Sequence, residues 1–210
     1  MKAVLLAVVS TAALLTLAAC GSGGSAPADS SSAMPSGMSM PATSTPTGAG
    51  ASEPHNNADV DFATSMIPHH RQAVEMADLA LTKSTNADVK RFATQIKAAQ
   101  SPEINAMTGW LTAWQAPVPT GSMDHSMPGM SMPGEMSDAD MTALRRATGA
   151  AFDKMWLELM IKHHGGAINM AKTELADGQN AAAKSLAQSI ITGQSGEIAQ
   201  FRKLLPTVGA

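Results

Sequence analysis

Two histidine pairs carry the densest chemistry in the chain. His69 and His70 stand in MIPHHRQAVEMA (Met66 to Ala77), and His163 and His164 stand in MIKHHGGAINMA (Met160 to Ala171), so four of the six histidines fall in two matching stretches. Each pair has methionine on both sides, Met66 and Met76 about the first and Met160 and Met170 about the second. Imidazole suits copper, zinc, iron and nickel, while thioether selects Cu(I). A mixed set without thiolate therefore points to copper, with Cu(I) favoured over Cu(II). A methionine stripe at helical spacing also serves as plain core filling, because the flexible side chain adapts to gaps. Paired imidazoles are harder to explain that way. Buried, they need partners for their ring nitrogens; exposed, they need no second copy.

The stretch GSMDHSMPGMSMPGEM (Gly121 to Met136) adds Met123, His125, Met127, Met130, Met132 and Met136. Its prolines and glycines interrupt any helix or core segment. Exposed methionine is prone to oxidation and brings no packing benefit to a loop. A soft-metal loop is the reading that uses these residues, with a neutral repetitive spacer as the plain alternative. Such weak multidentate sites suit capture and hand-over of Cu(I). The theme recurs upstream in MPSGMSM, with Met34, Met38 and Met40.

An internal repeat supplies the elements that must position these residues. Setting His69 on His163 gives an offset of 94, which also pairs Met66 with Met160, Ala73 with Ala167, Met76 with Met170, Asp59 with Asp153, and QSPEI (Gln100 to Ile104) with QSGEI (Gln194 to Ile198). A repeat this long without a gap argues for one duplicated supersecondary unit. Apolar residues recur at three and four residues (Phe62, Met66, Ala73, Met76, Ala80, then Val89, Phe92, Ile96, Ala99), so each unit reads as two helices joined by a short turn. Asn57 and Asn86 are placed as N-caps, and Gly178 and Asn180 as a stop and a new start. Two amphipathic hairpins bury their stripes as an all-α four-helix bundle. A short helix from Ser137 to Arg146, opening with SDAD, leads into the third bundle helix. Pro68 and Pro102 fall inside helices and predict kinks.

At about 100° per residue, Asp59, Phe62, Met66, His69, His70, Ala73 and Met76 occupy roughly a third of the helix circumference. With approximate twofold packing, the duplicated arcs face each other and bring four imidazoles and four thioethers toward one region. Adjacent histidines diverge by that same angle, so one of each pair reaches across the bundle while the other points to a neighbouring helix or the rim.

The amino terminus reads as an export signal. MKAVLLAVVSTAALLTLAAC ends in small residues before a cysteine, as in a bacterial lipoprotein. Residues 1–19 are expected to be removed and Cys20 lipidated, holding the chain to the outer side of the cell membrane. Residues 20–57 read as a disordered Ser/Pro/Gly/Met tether, and 58–206 as the bundle domain with a Met-rich loop over 117–137. No later segment is apolar for long enough to span a bilayer. Cys20 is the only cysteine, which excludes disulfides and thiol catalysis once it is lipidated. A formal charge of −3 without a basic cluster gives no footprint for nucleic acid.

The doubled pattern MI-x-HH-x-x-A-x-x-MA, with the Q-x-x-E-I element in each second helix, resembles the bacterial domain-of-unknown-function family 305 over about Asp59 to Leu205. The resemblance implies a ferritin-like four-helix fold and an exported group linked to copper binding and tolerance. Lys162 stands where the motif often has proline. The expected function is therefore a lipid-anchored, non-enzymatic copper-binding protein that sequesters or relays the metal, with a copper-handling protein as possible partner. A structural or interaction lipoprotein without metal is the competing reading. A di-iron oxidase is a third and needs Glu-x-x-His on inward faces, which the chain lacks. Glu75 and Glu158 have Asn169 and Thr64 as repeat partners, so no symmetric carboxylate set is expected. HExxH and G-x-S-x-G are also absent.

Overall fold

A computed structural model describes residues 50–121 and 132–208. The expected signal peptide, the lipidation site Cys20 and the tether as far as residue 49 lie outside the described residues, as do Met123, His125, Met127 and Met130. The order is α1 (Asn57–Lys83), α2 (Ala87–Ala113), α3 (Asp138–Arg146), α4 (Gly149–Asp177) and α5 (Ala181–Leu204), closed by a 3-10 turn, Leu205–Thr207. No strand occurs among the described residues, and no helix there is long and apolar enough to cross a membrane. The all-α bundle of two hairpins is what the repeat predicts: α1 packs on α2, α4 on α5, and α1 on α4.

Side-chain caps set the helix starts. The Asn86 amide oxygen accepts from Asp88 N and Val89 N, and Asn180 does the same for Ala182 and Ala183. Each such cap is worth about 1 kcal/mol. The first cap is Asn56 and not the expected Asn57. Asn56 accepts from Ala58 N and Asp59 N while the Asp59 carboxylate accepts from Asn56 N at 2.6 Å, a box with three-residue spacing that only Asn56 completes. Ser137 and Asp140 form the same box at α3. Pro68 and Pro102 lie within α1 and α2, which continue through both.

Packing on the bundle begins ahead of the expected boundary at residue 58. Asn180 Nδ2 donates to Gly50 O at 2.7 Å, and Asn56 Nδ2 donates to Asp177 O at 2.8 Å, so residues 50–56 fold against the α4–α5 turn. Buried Asp59 fixes the same corner by accepting from Gln179 N at 3.1 Å and Asn180 N at 2.8 Å.

Two apolar clusters fill the bundle. One holds Met76, Phe92, Phe152, Trp156, Met160 and Phe201; the other holds Phe62, Met66, Met107, Trp110, Ala167 and Ile190. Trp156 buries its indole without leaving the N–H orphaned, because Nε1 donates to Met76 O at 2.8 Å. The four paired histidines belong to neither cluster and separate them.

Candidate metal centre

The site follows from how α1 and α4 cross. They run antiparallel, with Met76 meeting Trp156 in one cluster and Met66 sharing the other with Ala167, so the residues midway, His69 and His163, meet face to face. Their ring centroids are 3.7 Å apart with planes inclined by 35°. At that separation the faces touch, and an ion can be held only at the ring edges, where the nitrogens are.

The second histidine of each pair diverges toward its own hairpin partner, as the 100° step between neighbours requires. His70 Nε2 lies 2.7 Å from Glu103 Oε2 on α2, and His164 Nε2 lies 2.7 Å from Glu197 Oε2 on α5. Both imidazoles are fully buried, while the carboxylates reach the surface with 21% and 19% of their side chains exposed. A carboxylate accepting at Nε2 places the proton there and leaves Nδ1 as the lone-pair nitrogen.

Desolvation dominates the electrostatics. Burial, with the neighbouring His70 and His164 adding to it, lowers the His69 pKa to about 3. His163 is pushed well below its ordinary value by burial first, then by His69, His164 and His70. Both rings are therefore neutral at pH 7. The Pro133 carbonyl faces His69 closely enough to ease its shift slightly without reaching hydrogen-bond geometry.

Six of the eight ring nitrogens have no hydrogen-bond partner among the described residues: both of His69, both of His163, and Nδ1 of His70 and His164. An unmade hydrogen bond on a buried group costs about 1–3 kcal/mol. Six together weigh heavily against a folding free energy of about 5–15 kcal/mol. Each neutral ring keeps one N–H, but its other nitrogen presents a lone pair without a partner, and such a nitrogen is what a soft or borderline metal ion seeks. These nitrogens fit copper. Among the described residues no three acidic, histidine or cysteine groups converge as a ready-made site, so a pair of imidazoles would be joined there by thioether.

The methionines do not converge as expected. Met66 and Met170 belong with one apolar cluster, Met76 and Met160 with the other. The axis relating the repeats passes through the His69–His163 contact, so it carries each methionine to the opposite end of the bundle from its repeat partner. Met66 and Met160, each three residues before a central histidine, stay next to the imidazole layer. Met132 and Met136, the described methionines of the expected loop, are both buried at its end.

That loop is anchored beside the histidines. Arg71 Nη1 donates to Pro119 O at 2.7 Å near the loop's start. Near its end, Gln72 Nε2 donates to Met136 O at 2.9 Å and Gln72 Oε1 accepts from Met136 N at 2.8 Å. Arg71 and Gln72 directly follow His70, and their repeat partners are Gly165 and Gly166. At Gly166 the loop backbone comes so close that a Cβ would lie 1.8 Å from Pro133 O. The repeat is thus broken where Arg71 and Gln72 of one half grip the loop, and of their partners Gly166 makes room for it.

Glu103 and Glu197 correct the expectation that no symmetric carboxylate set exists. They are the glutamates of QSPEI and QSGEI, offset by the same 94 as the histidines, a signal present in the repeat. Glu75 and Glu158, nearer in sequence, are exposed and pair with Arg145 and Lys154. The break of RQ against GG was likewise visible but had no meaning without the loop's position.

The model of the family "Domain of unknown function (DUF305)" matches residues 59–205. No curated protein matches. Among solved structures, a DUF305 protein from Streptomyces coelicolor, described as secreted, is 34% identical, with 73% of this chain and 94% of that one covered and a TM-score of 0.65. A DUF305 fragment from Deinococcus radiodurans is 28% identical, with 74% and 99% covered and a TM-score of 0.65. CopM in its Cu(II)-bound form is 33% identical, with 71% and 96% covered and a TM-score of 0.62.

Proposed function

The chain belongs to the DUF305 family, and on that premise we propose that it is an exported, lipid-anchored protein that binds copper and sequesters or relays it, acting as a carrier and not as an enzyme. The observation that carries the reading is the set of six buried ring nitrogens without partners among the described residues. Copper is cargo. His69 and His163 offer ring-edge nitrogens, His70 and His164 offer Nδ1, and Met66 and Met160 are the adjacent thioethers, a set whose softness favours Cu(I). The loop methionines and His125 are the acquisition arm, in a segment whose described ends are bound by Arg71 and Gln72. CopM, bound to copper in its solved forms, is similar to this chain along most of its length, which supports the same cargo. The secreted Streptomyces neighbour and the lipoprotein-like amino terminus support a place outside the cytoplasm.

Glu103 and Glu197 do not revive the di-iron reading, because each reaches one histidine and the Glu-x-x-His pairs that such a site needs are absent from the sequence. They act as orienting groups that fix the ring tautomer.

The test is anaerobic titration of the full chain with Cu(I) against a competing chelator, beside a variant with His69, His70, His163 and His164 changed to alanine and one lacking residues 122–131. Loss of the tight site in the first variant, and of weaker sites only in the second, supports the reading. Affinity unchanged by the four substitutions leaves the metal-free interaction lipoprotein as the better account.

A further inference from the structure

The same axis produces a second symmetric site, built from oxygen and not from imidazole. α2 and α5 each pack on their own hairpin partner, and a groove runs between them. At its middle lies a cavity of about 60 Å³ lined by Gln100 and Glu103 from α2 and by Gln194 and Glu197 from α5, over Ile96 and Ile190. That volume exceeds what a single water needs.

Gln100 and Gln194 are 2% and 5% exposed, and the Oε1 atom of each is buried with no hydrogen-bond partner among the described residues. An orphaned buried amide oxygen is destabilising, and here it occurs twice, at repeat positions, beside the same small cavity. Each glutamate uses Oε2 for its histidine and keeps Oε1. Two amide oxygens and two carboxylates therefore surround one space at the pseudo-twofold axis, with no sulfur and no free ring nitrogen lining it.

We propose that this cavity binds one hard divalent cation of the calcium or manganese class, separate from the imidazole centre. Such ions take six or more oxygen ligands from carboxylates, amide carbonyls and water. The four side chains supply the protein share, and the half-open mouth of the groove admits waters for the rest. Two carboxylates match the charge of a divalent ion. A bound ion would tie α2 to α5 across the groove, between the two apolar clusters to which both helices contribute, and binding to the folded state alone raises stability. The inference is independent of copper binding.

The test uses the full chain stripped of metal and titrated with Mn2+ at pH 7, followed by electron paramagnetic resonance. The expected result is one saturable Mn2+ per chain, displaced by Ca2+, with no imidazole nitrogen coupling, together with a rise in the thermal midpoint. Gln100→Leu with Gln194→Leu should weaken binding by at least about tenfold, since affinity at such sites follows ligand count and charge. Gln100→Glu with Gln194→Glu keeps the oxygens and adds charge, so it should tighten binding and keeps the idea testable if the leucine variant fails to fold. Absence of saturable binding overturns the proposal. So does an affinity that neither variant changes, or imidazole coupling in the spectrum, which would place Mn2+ at the histidines.

Discussion

The loop-docking geometry makes a sharp prediction at two adjacent glycines. Both Gly165 and Gly166 lie inside α4, where replacing glycine by alanine ordinarily stabilises a helix by about 1 kcal/mol. A Cβ at Gly165 meets nothing within 4 Å, so Gly165→Ala should gain that amount. A Cβ at Gly166 would lie 1.8 Å from Pro133 O, 2.4 Å from Pro133 C and 2.7 Å from Gly134 Cα, all backbone atoms that cannot swing aside. The loop end must then lift from α4. Exposing Met136, which is fully buried, loses about 1.5–3 kcal/mol. Its two hydrogen bonds with Gln72 lose about 0.5–1.5 kcal/mol each. Against the helix gain, Gly166→Ala should be less stable than the parent by about 1.5–5 kcal/mol and than Gly165→Ala by about one more. Urea unfolding of the three proteins reads the difference, and amide hydrogen exchange at Met136 reports whether the loop has lifted. If the two variants unfold within about 0.5 kcal/mol of each other, the usual scatter for neutral surface changes, with Met136 equally protected, the docking argument is wrong.

Four further outcomes are expected. Glu103→Ala with Glu197→Ala should weaken Cu(I) binding about 10–100-fold by freeing His70 and His164 from their orienting partners, whereas exposed Glu75→Ala should leave it unchanged; equal effects in a chelator competition would count against the orienting role. Burial first, then contact with Asp59, raises the Glu174 pKa from 4.5 to about 8. The folded chain thus keeps a proton that the unfolded chain releases, so stability should fall as pH climbs from 4.5 to about 8, and Glu174→Gln should flatten that slope in denaturant titrations at fixed pH. Asp59 works with the opposite sign and lower down: burial raises it, its backbone donors outweigh that, and the stability it adds is lost as pH falls below 3.8. Finally, with His69 deprotonating near 3, protons do not compete for its nitrogens at pH 5, so Cu(I) affinity should stay level between pH 7 and 5; a tenfold loss per unit below about 6.5, as for an exposed imidazole, would show that the buried pair is not the ligand.

Helices, caps and the duplication were legible because they are local. Apolar spacing along Phe62, Met66, Ala73 and Met76 marks a buried face, Asn86 and Asn180 cap whatever helix follows them, and an offset of 94 survives any arrangement of the elements. The cap at Asn56 was missed by one residue because two asparagines stand together, and only the reach of Asp59 back to Asn56 N distinguishes them. The doubled histidines announced a shared site, and the 100° step between neighbours already required that the two members of a pair part company.

Tertiary structure decided what each residue meets. The antiparallel crossing of α1 and α4 has one midpoint, and only residues at that midpoint meet their own repeat partners. His69 and His163 lie there, while the methionines are displaced along the helices and are carried to opposite ends. Glu103 and Glu197 stand 33 residues beyond their histidines, a separation that says nothing until the hairpin turn folds them back. The mismatch of Arg71 and Gln72 with Gly165 and Gly166 became informative only once the loop lay across it, gripped on one side and accommodated on the other. Periodicity and duplication act within a segment and can be read along the chain, but a contact between segments depends on where their axes cross, which only packing settles.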